Sequence, residues 1–148
     1  MTSKGPVVII AKPLLFSMFF IMIMGFSSCR GLTHNQAETQ PNHSDLSLRA
    51  RTYTITYNSF FSKLLETIKE LPRWQVLSQD KTSGEIATTR KSRLFRFVDD
   101  VRIQVVKTGT QEVTVNISSA SRVGKGDFGQ NARNIRELLN KLDQNISN

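Results

Sequence analysis

Apolar and polar positions alternate along residues 51–57, with Tyr53, Ile55 and Tyr57 on one side and Thr52, Thr54 and Thr56 on the other. That period of two predicts a half-buried strand. Asn58 or Ser59 then stands where a helix cap belongs. Phe60, Phe61, Leu64, Leu65, Ile68 and Leu71 recur every three or four residues, the stripe of an amphipathic helix, and Pro72 closes it. Trp74 to Gln79 predicts a short strand, Thr82-Ser83-Gly84 a turn, and Glu85 to Thr89 a further strand. Leu94 to Lys107 predicts a long strand with Phe95, Phe97, Asp99, Val101, Ile103 and Val105 on one face, and Arg96, Asp100 and Arg102 on the other. Gly109 marks a hairpin into Glu112 to Ser121, where Val113, Val115 and Ile117 face in. The last element is a helix over about Phe128 to Gln144, its inner stripe Phe128, Ala132, Ile135, Leu138, Leu139 and Leu142.

The order is β-α-β-β-β-β-α. Hairpin-linked strands give an antiparallel sheet of about five strands, and two amphipathic helices cover one face. The expected fold class is α+β, a two-layer sandwich resembling a helix-grip module. Such a module carries an apolar groove between sheet and helices, for a lipid or a protein partner.

Charge and residue usage narrow the chemistry. The 148 residues carry 20 Lys+Arg against 12 Asp+Glu, a net charge of +8. Cys29 is the single cysteine, and His34 and His43 are the two histidines, so the chain beyond residue 43 has neither. A Ser-His-Asp or Cys-His site needs an imidazole, and zinc sites are built on His or Cys. The expected domain therefore has no metal site of that kind and no cofactor, and a reaction would have to run on carboxylates. Asp99, Asp100 and Asp127 are the acids that such an enzyme would use. Asp99 and Asp100 are adjacent in a strand and so point to opposite faces, which argues against a shared pair.

The first residues read as an address. Lys4 and Lys12 are followed by a 13-residue apolar run, Leu14 to Phe26, then Ser27, Ser28 and Cys29. A basic region, a short apolar region and small residues before a cleavage point make a secretory signal, and 13 residues fall short of the ~20 that span a bilayer. Phe26-Ser27-Ser28-Cys29 resembles the lipobox of bacterial lipoproteins, which implies acylation of Cys29. Arg30 differs from the Asp that retains such proteins at the inner membrane, so in a host with two membranes the outer one is the expected destination. The expected domains are a signal peptide at 1–28, a flexible polar tether at 29–47, and one α+β domain at 48–148. The mature chain keeps 18 basic residues, all but Lys4 and Lys12, against 12 acids, a net charge of about +6.

Phe97-x-Asp99-Asp100-x-x-Ile103 is followed by Ser119-x-Ser121-Arg122-x-Gly124-x-x-Asp127-x-Gly129-x-Asn131. Together with Leu71-Pro72-x-Trp74, this pattern resembles the family catalogued as domain of unknown function 1499, over roughly residues 50–142. The family commonly has a basic residue where Asn134 stands. The resemblance implies an envelope protein, sometimes lipid-anchored, and brings no established reaction.

The motif residues Asp99, Asp100, Ser121, Arg122, Gly124, Asp127, Gly129 and Asn131 are the structural or candidate binding set. The glycine run lacks the P-loop spacing. Asp127 is expected to cap the last helix, with the glycines supplying backbone geometry. An anion site at that helix start, served by Arg122, Lys125 and Arg133, is the functional alternative. Asp99 lies on the apolar face and needs a partner, for which Arg122 and Arg136 are the candidates. Arg90-Lys91-Ser92-Arg93-x-x-Arg96 is the densest basic stretch. In a membrane-tethered domain it fits anionic lipid headgroups or an acidic envelope partner rather than nucleic acid.

Overall fold

The computed structural model of the chain describes residues 35–93, 96–124 and 127–147. The expected signal segment 1–28, Cys29 and residues 30–34 lie outside the described residues, as do Leu94, Phe95, Lys125, Gly126 and Asn148. The elements are β1 (Gln36–Glu38), β2 (Arg51–Tyr53), α1 (Tyr57–Glu70), β3 (Trp74–Asp80), β4 (Glu85–Lys91), β5 (Val98–Gly109), β6 (Glu112–Ser121) and α2 (Gln130–Ser147). The strands form one antiparallel sheet in the order β1-β6-β5-β4-β3, with β2 also paired to β6. Both helices cover the same face, giving the two-layer α+β sandwich expected from the pattern.

Alternation sorts the residues of the sheet. Val101, Ile103, Val105, Val113, Val115 and Ile117 face the helices and are buried against Phe60, Leu64 and Ile68 of α1 and Ile135, Leu138, Leu139 and Leu142 of α2. Thr56, rather than Asn58 or Ser59, caps α1: its hydroxyl accepts from the Ser59 amide at 3.4 Å. The cap sits earlier because Tyr57 already belongs to the first turn, its ring packed beside Phe61.

Three expectations are corrected. First, residues 35–47 are not a free tether. Gln36–Glu38 adds a strand to the edge of β6, and Thr39 exchanges bonds with both the amide and the carbonyl of Ile117. Asp45 and Ser47 then bind Arg136 of α2, at 2.6 and 2.7 Å, and Leu48 is buried. A polar three-residue edge strand is too short to leave an alternating trace. Second, Phe97 and Phe128 do not enter the core; they are 50% and 75% exposed. The β4–β5 ladder ends at Lys91 and Val98, and Arg96 and Phe128 take left-handed backbone angles (φ 54° and 50°) that break both periodicities. Third, the larger cleft opens between the β1 edge and α2 rather than beneath both helices. The two clefts described lie on the outer sheet face and along the β1–α2 edge, and no residue of α1 lines either one.

One turn fixes the far end of the sheet. Gly84 has φ +78°, and a Cβ there would run into the carbonyl oxygen of Val105, whose amide bonds the Gly84 carbonyl at 2.9 Å.

Candidate functional site

Register brings the motif together. Asp99 on β5 stands between Arg90 on β4 and Ser121 on β6, all on the helix-facing side. One alternate residue further along β6 is Ser119. Over them lies the first stretch of α2, where Asn131 and Asn134 occupy the same buried stripe as Ile135 and Leu138. Asp99 is 2% exposed, and Asn131 and Asn134 are fully buried.

The polar atoms satisfy one another in a closed set. Asp99 accepts from the Ser121 hydroxyl at 2.7 Å and from Asn134 Nδ2 at 2.8 Å. Ser121 in turn accepts from Asn131 Nδ2 at 3.0 Å. Ser119 donates to Asn131 Oδ1 at 2.6 Å and accepts from Asn134 Nδ2 at 3.2 Å. Gln130 Nε2 supplies the Asn134 carbonyl at 2.7 Å, and Asn131 Nδ2 also holds the Asn35 carbonyl at 2.7 Å. Buried polar groups in such a network rigidify a junction when every member is paired, and each becomes costly if its partner is removed. The network ties together β5, β6, α2 and the N-terminal arm.

The partner expected for Asp99 is corrected. Arg136 serves Asp45 and Ser47 instead. Arg122 reaches over the strand to Asp100 on the outer face, in a forked pair of 2.7 and 2.9 Å. That hydrogen bonding to Arg122 holds the Asp100 carboxyl below the usual carboxylate range. The charge nearest Asp99 in register is Arg90, a residue placed in the basic surface stretch by the sequence alone. Arg90 is only 8% exposed; its Nε meets Glu137 Oε2 at 3.3 Å, and the Trp74 indole donates to the same oxygen at 3.2 Å. Two asparagines and one glutamate on the inner side of a helix were the available signal for this network.

Asp127 sits two residues before the position that caps α2. Its carboxylate accepts from the amides of Gly129 and Asn131, at 2.9 and 2.6 Å, and so takes the free donors of the first turn. Gly129 makes the bend at φ +75°, and Gly124 turns the end of β6 at φ +97°. Arg133 is folded back on the Phe128 carbonyl and Gln130. An anion at this helix start would therefore compete with Asp127.

Asp99 is buried on the helix-facing side, whereas Asp100 on the outer face and Asp127 at the helix start both line one cleft. Among the described residues no three His, Cys, Asp or Glu side chains are grouped to hold a metal, and no helix is long and apolar enough to cross a membrane. Open space lies elsewhere. A cleft of about 340 Å³ on the outer sheet face is lined by Ala87, Arg102, Gln104, Asn116 and Ser118. A larger one of about 1280 Å³ follows β1 toward α2 and carries Asp45, Asp100 and Asp127 beside Arg102, Arg133 and Arg136. Arg102 and Ser118 line both clefts.

The fold agrees with what the chain resembles. A family model described as protein of unknown function (DUF1499) matches residues 28–142, and the chain belongs to that family. No curated protein matches the chain. Among solved structures, the di-domain ARO/CYC BexL from the BE-7585A biosynthetic pathway is 12% identical with a TM-score of 0.51, over 76% of this chain and 46% of that one. The chain thus spans a little under half the length of that di-domain protein. A Thermus thermophilus protein is 10% identical (TM-score 0.40), over 76% of this chain and 97% of that one. A Thermobifida fusca protein solved by NMR is 9% identical (TM-score 0.41), over 71% and 82% of the two chains. The first of these likenesses supports the helix-grip-like fold and nothing beyond it.

Proposed function

We propose that the chain is a non-catalytic binding module of the cell envelope, held to a membrane by acylation of Cys29, with its partner seated on the outer sheet face and the β1–α2 cleft. One observation carries this reading. The motif side chains that would be the first choice for chemistry are each spent on architecture, bonded to one another or to a helix start, and Asp99 is buried away from the cleft that Asp100 and Asp127 line. The groups that line the clefts are of mixed charge, Arg102, Arg133 and Arg136 beside Asp45, Asp100 and Asp127, with Gln104, Asn116 and Ser118 along the sheet. That composition suits a protein partner of the envelope, because charges of both signs fix its register.

The test is site-specific photocrosslinking in cells, with the reactive group at Arg102 in the clefts or at Lys69 on exposed α1. A discrete adduct from position 102 and none from position 69 is expected. The same diffuse labelling from both positions contradicts the reading. Mass measurement of the peptide containing Cys29 reads the anchor separately.

A further inference from the structure

We infer that the end of the sheet carrying Phe97, Val123 and Phe128 docks onto an anionic phospholipid surface. The inference rests on the reading that Cys29 is the membrane anchor, and deepens it by fixing which end of the domain meets the lipid.

The arm enters the fold at one end only. Asn35 receives the Ser121 amide at 2.8 Å and donates its side chain to the Gly124 carbonyl at 3.3 Å, so it lies where β6 ends and β5 begins. Cys29 precedes Asn35 by six residues. Six residues span at most about 20 Å, so an acylated Cys29 keeps this end within that distance of the headgroups. The Gly109 hairpin lies at the other end of β5, a strand of 12 residues, or about 40 Å at 3.3 Å per residue, and the Gly84 turn meets β5 at Val105, toward that end.

The near end has the surface that a bilayer takes. Phe97, Val123 and Phe128 are 50%, 64% and 75% exposed. They come from three segments tied to one another: Arg122 donates its amide to the Val98 carbonyl, and Asn131, three residues after Phe128, holds Ser121. Exposed Lys91, Arg93, Arg96 and Arg133 stand at the same end. Its acids are already engaged, Asp100 by Arg122 and Asp127 by the helix amides. The far end differs: Asp80, Glu85 and Glu112 stand beside Lys81 and Lys107, and Val106, 41% exposed, is its large apolar residue on the surface. Aromatic and aliphatic side chains inserted at the interface, with a cationic rim drawn to anionic headgroups, are the two contributions that hold a peripheral surface on a membrane. Docking in this sense leaves the outer sheet face turned sideways and open to a partner.

The experiment uses the full mature protein purified from membranes and reconstituted into vesicles of phosphatidylethanolamine and phosphatidylglycerol. Val123→Trp, Phe128→Trp and, as the far-end reference, Thr110→Trp are compared for quenching by brominated phospholipid; native Trp74 gives a common background. Quenching at least threefold stronger for Val123→Trp and Phe128→Trp than for Thr110→Trp is expected, falling toward the reference in phosphatidylcholine vesicles or at high salt. Equal quenching at all three positions in the anionic vesicles overturns the inference. Mass analysis of the Cys29 peptide is independent: an unmodified thiol with retained quenching refutes the acyl anchor and leaves the docking surface standing.

Discussion

Asn134 on α2 donates its side-chain amide to Asp99 on β5 across 2.8 Å, with Asn134 fully buried and Asp99 2% exposed. The pair joins the first turns of the helix to the long strand, and the same amide holds Ser119 of the neighbouring strand at 3.2 Å. A buried carboxylate with neutral donors on both oxygens is stable only while both donors stay.

Asn134→Ala removes one of those donors and also strips Ser119 of its own. A loss of about 2–3 kcal/mol in urea unfolding is expected, since an unsatisfied buried charge costs more than an ordinary hydrogen bond contributes. Asn134→Asp is expected to be worse, because it sets a second carboxyl group against Asp99 and removes the amide donor. Equal stability of the two variants would refute this account of the pair.

The arm carries a pH dependence. Hydrogen bonds from Ser47 and Arg136 hold the Asp45 pKa at about 2, below its ordinary 3.8. A carboxyl depressed by folding adds stability above its unfolded value and loses it as pH falls through the folded one. The arm is therefore expected to loosen between about pH 4 and 2, seen as a falling protection factor at the Thr39 amide, which bonds Ile117. The Asp45 side chain is 40% exposed, so solvent screening keeps the effect small. Arg136→Ala is expected to lower Thr39 protection already at neutral pH, whereas unchanged protection would detach Asp45 from the arm's stability.

Tyr53 gives the opposite sign. Its hydroxyl donates to Asp143 Oδ1 at 2.6 Å, and burial first, then that carboxylate, push the phenol well above its ordinary 10. A group raised by folding contributes fully below its unfolded value and loses that contribution as pH climbs. Tyr53→Phe is expected to cost about 1 kcal/mol at neutral pH and to flatten the decline in stability above pH 10. A decline as steep as that of the parent chain would place the alkaline sensitivity in another group.

At the far end, Gly84→Ala forces a Cβ onto the Val105 carbonyl in a backbone conformation that favours glycine. A destabilisation of about 2 kcal/mol or more is expected by thermal unfolding, because both strain and a clash with backbone act together. A change within about 0.5 kcal/mol would show that the turn relaxes.

Much of the fold was legible in the chain because its signals are periodic. The stripe from Phe60 to Leu71 and the alternation from Val101 to Val105 each repeat long enough to fix an element and its inner face. The arm was not legible: Gln36–Glu38 becomes a strand only because the edge of β6 offers it backbone partners. Phe97 and Phe128 were misassigned because each continues a periodic pattern beyond the regular element, Phe97 lying between β5 and the left-handed Arg96, and Phe128 itself taking a left-handed angle before α2. At the site, burial of Asp99 follows from alternation, but its partners do not. Serines and asparagines bond at many spacings, and only register and helix docking select Ser121 and Asn134 over Arg122 and Arg136.

The most direct measurement is of Asp99→Asn, read both for urea stability and for the photocrosslink from Arg102. If Asp99 is architectural, stability falls by about 2 kcal/mol or more as a donor replaces one of its two acceptor oxygens, while the folded fraction gives the same adduct from position 102. A variant that keeps the parent's stability but loses the adduct would contradict the account and make Asp99 a residue of function.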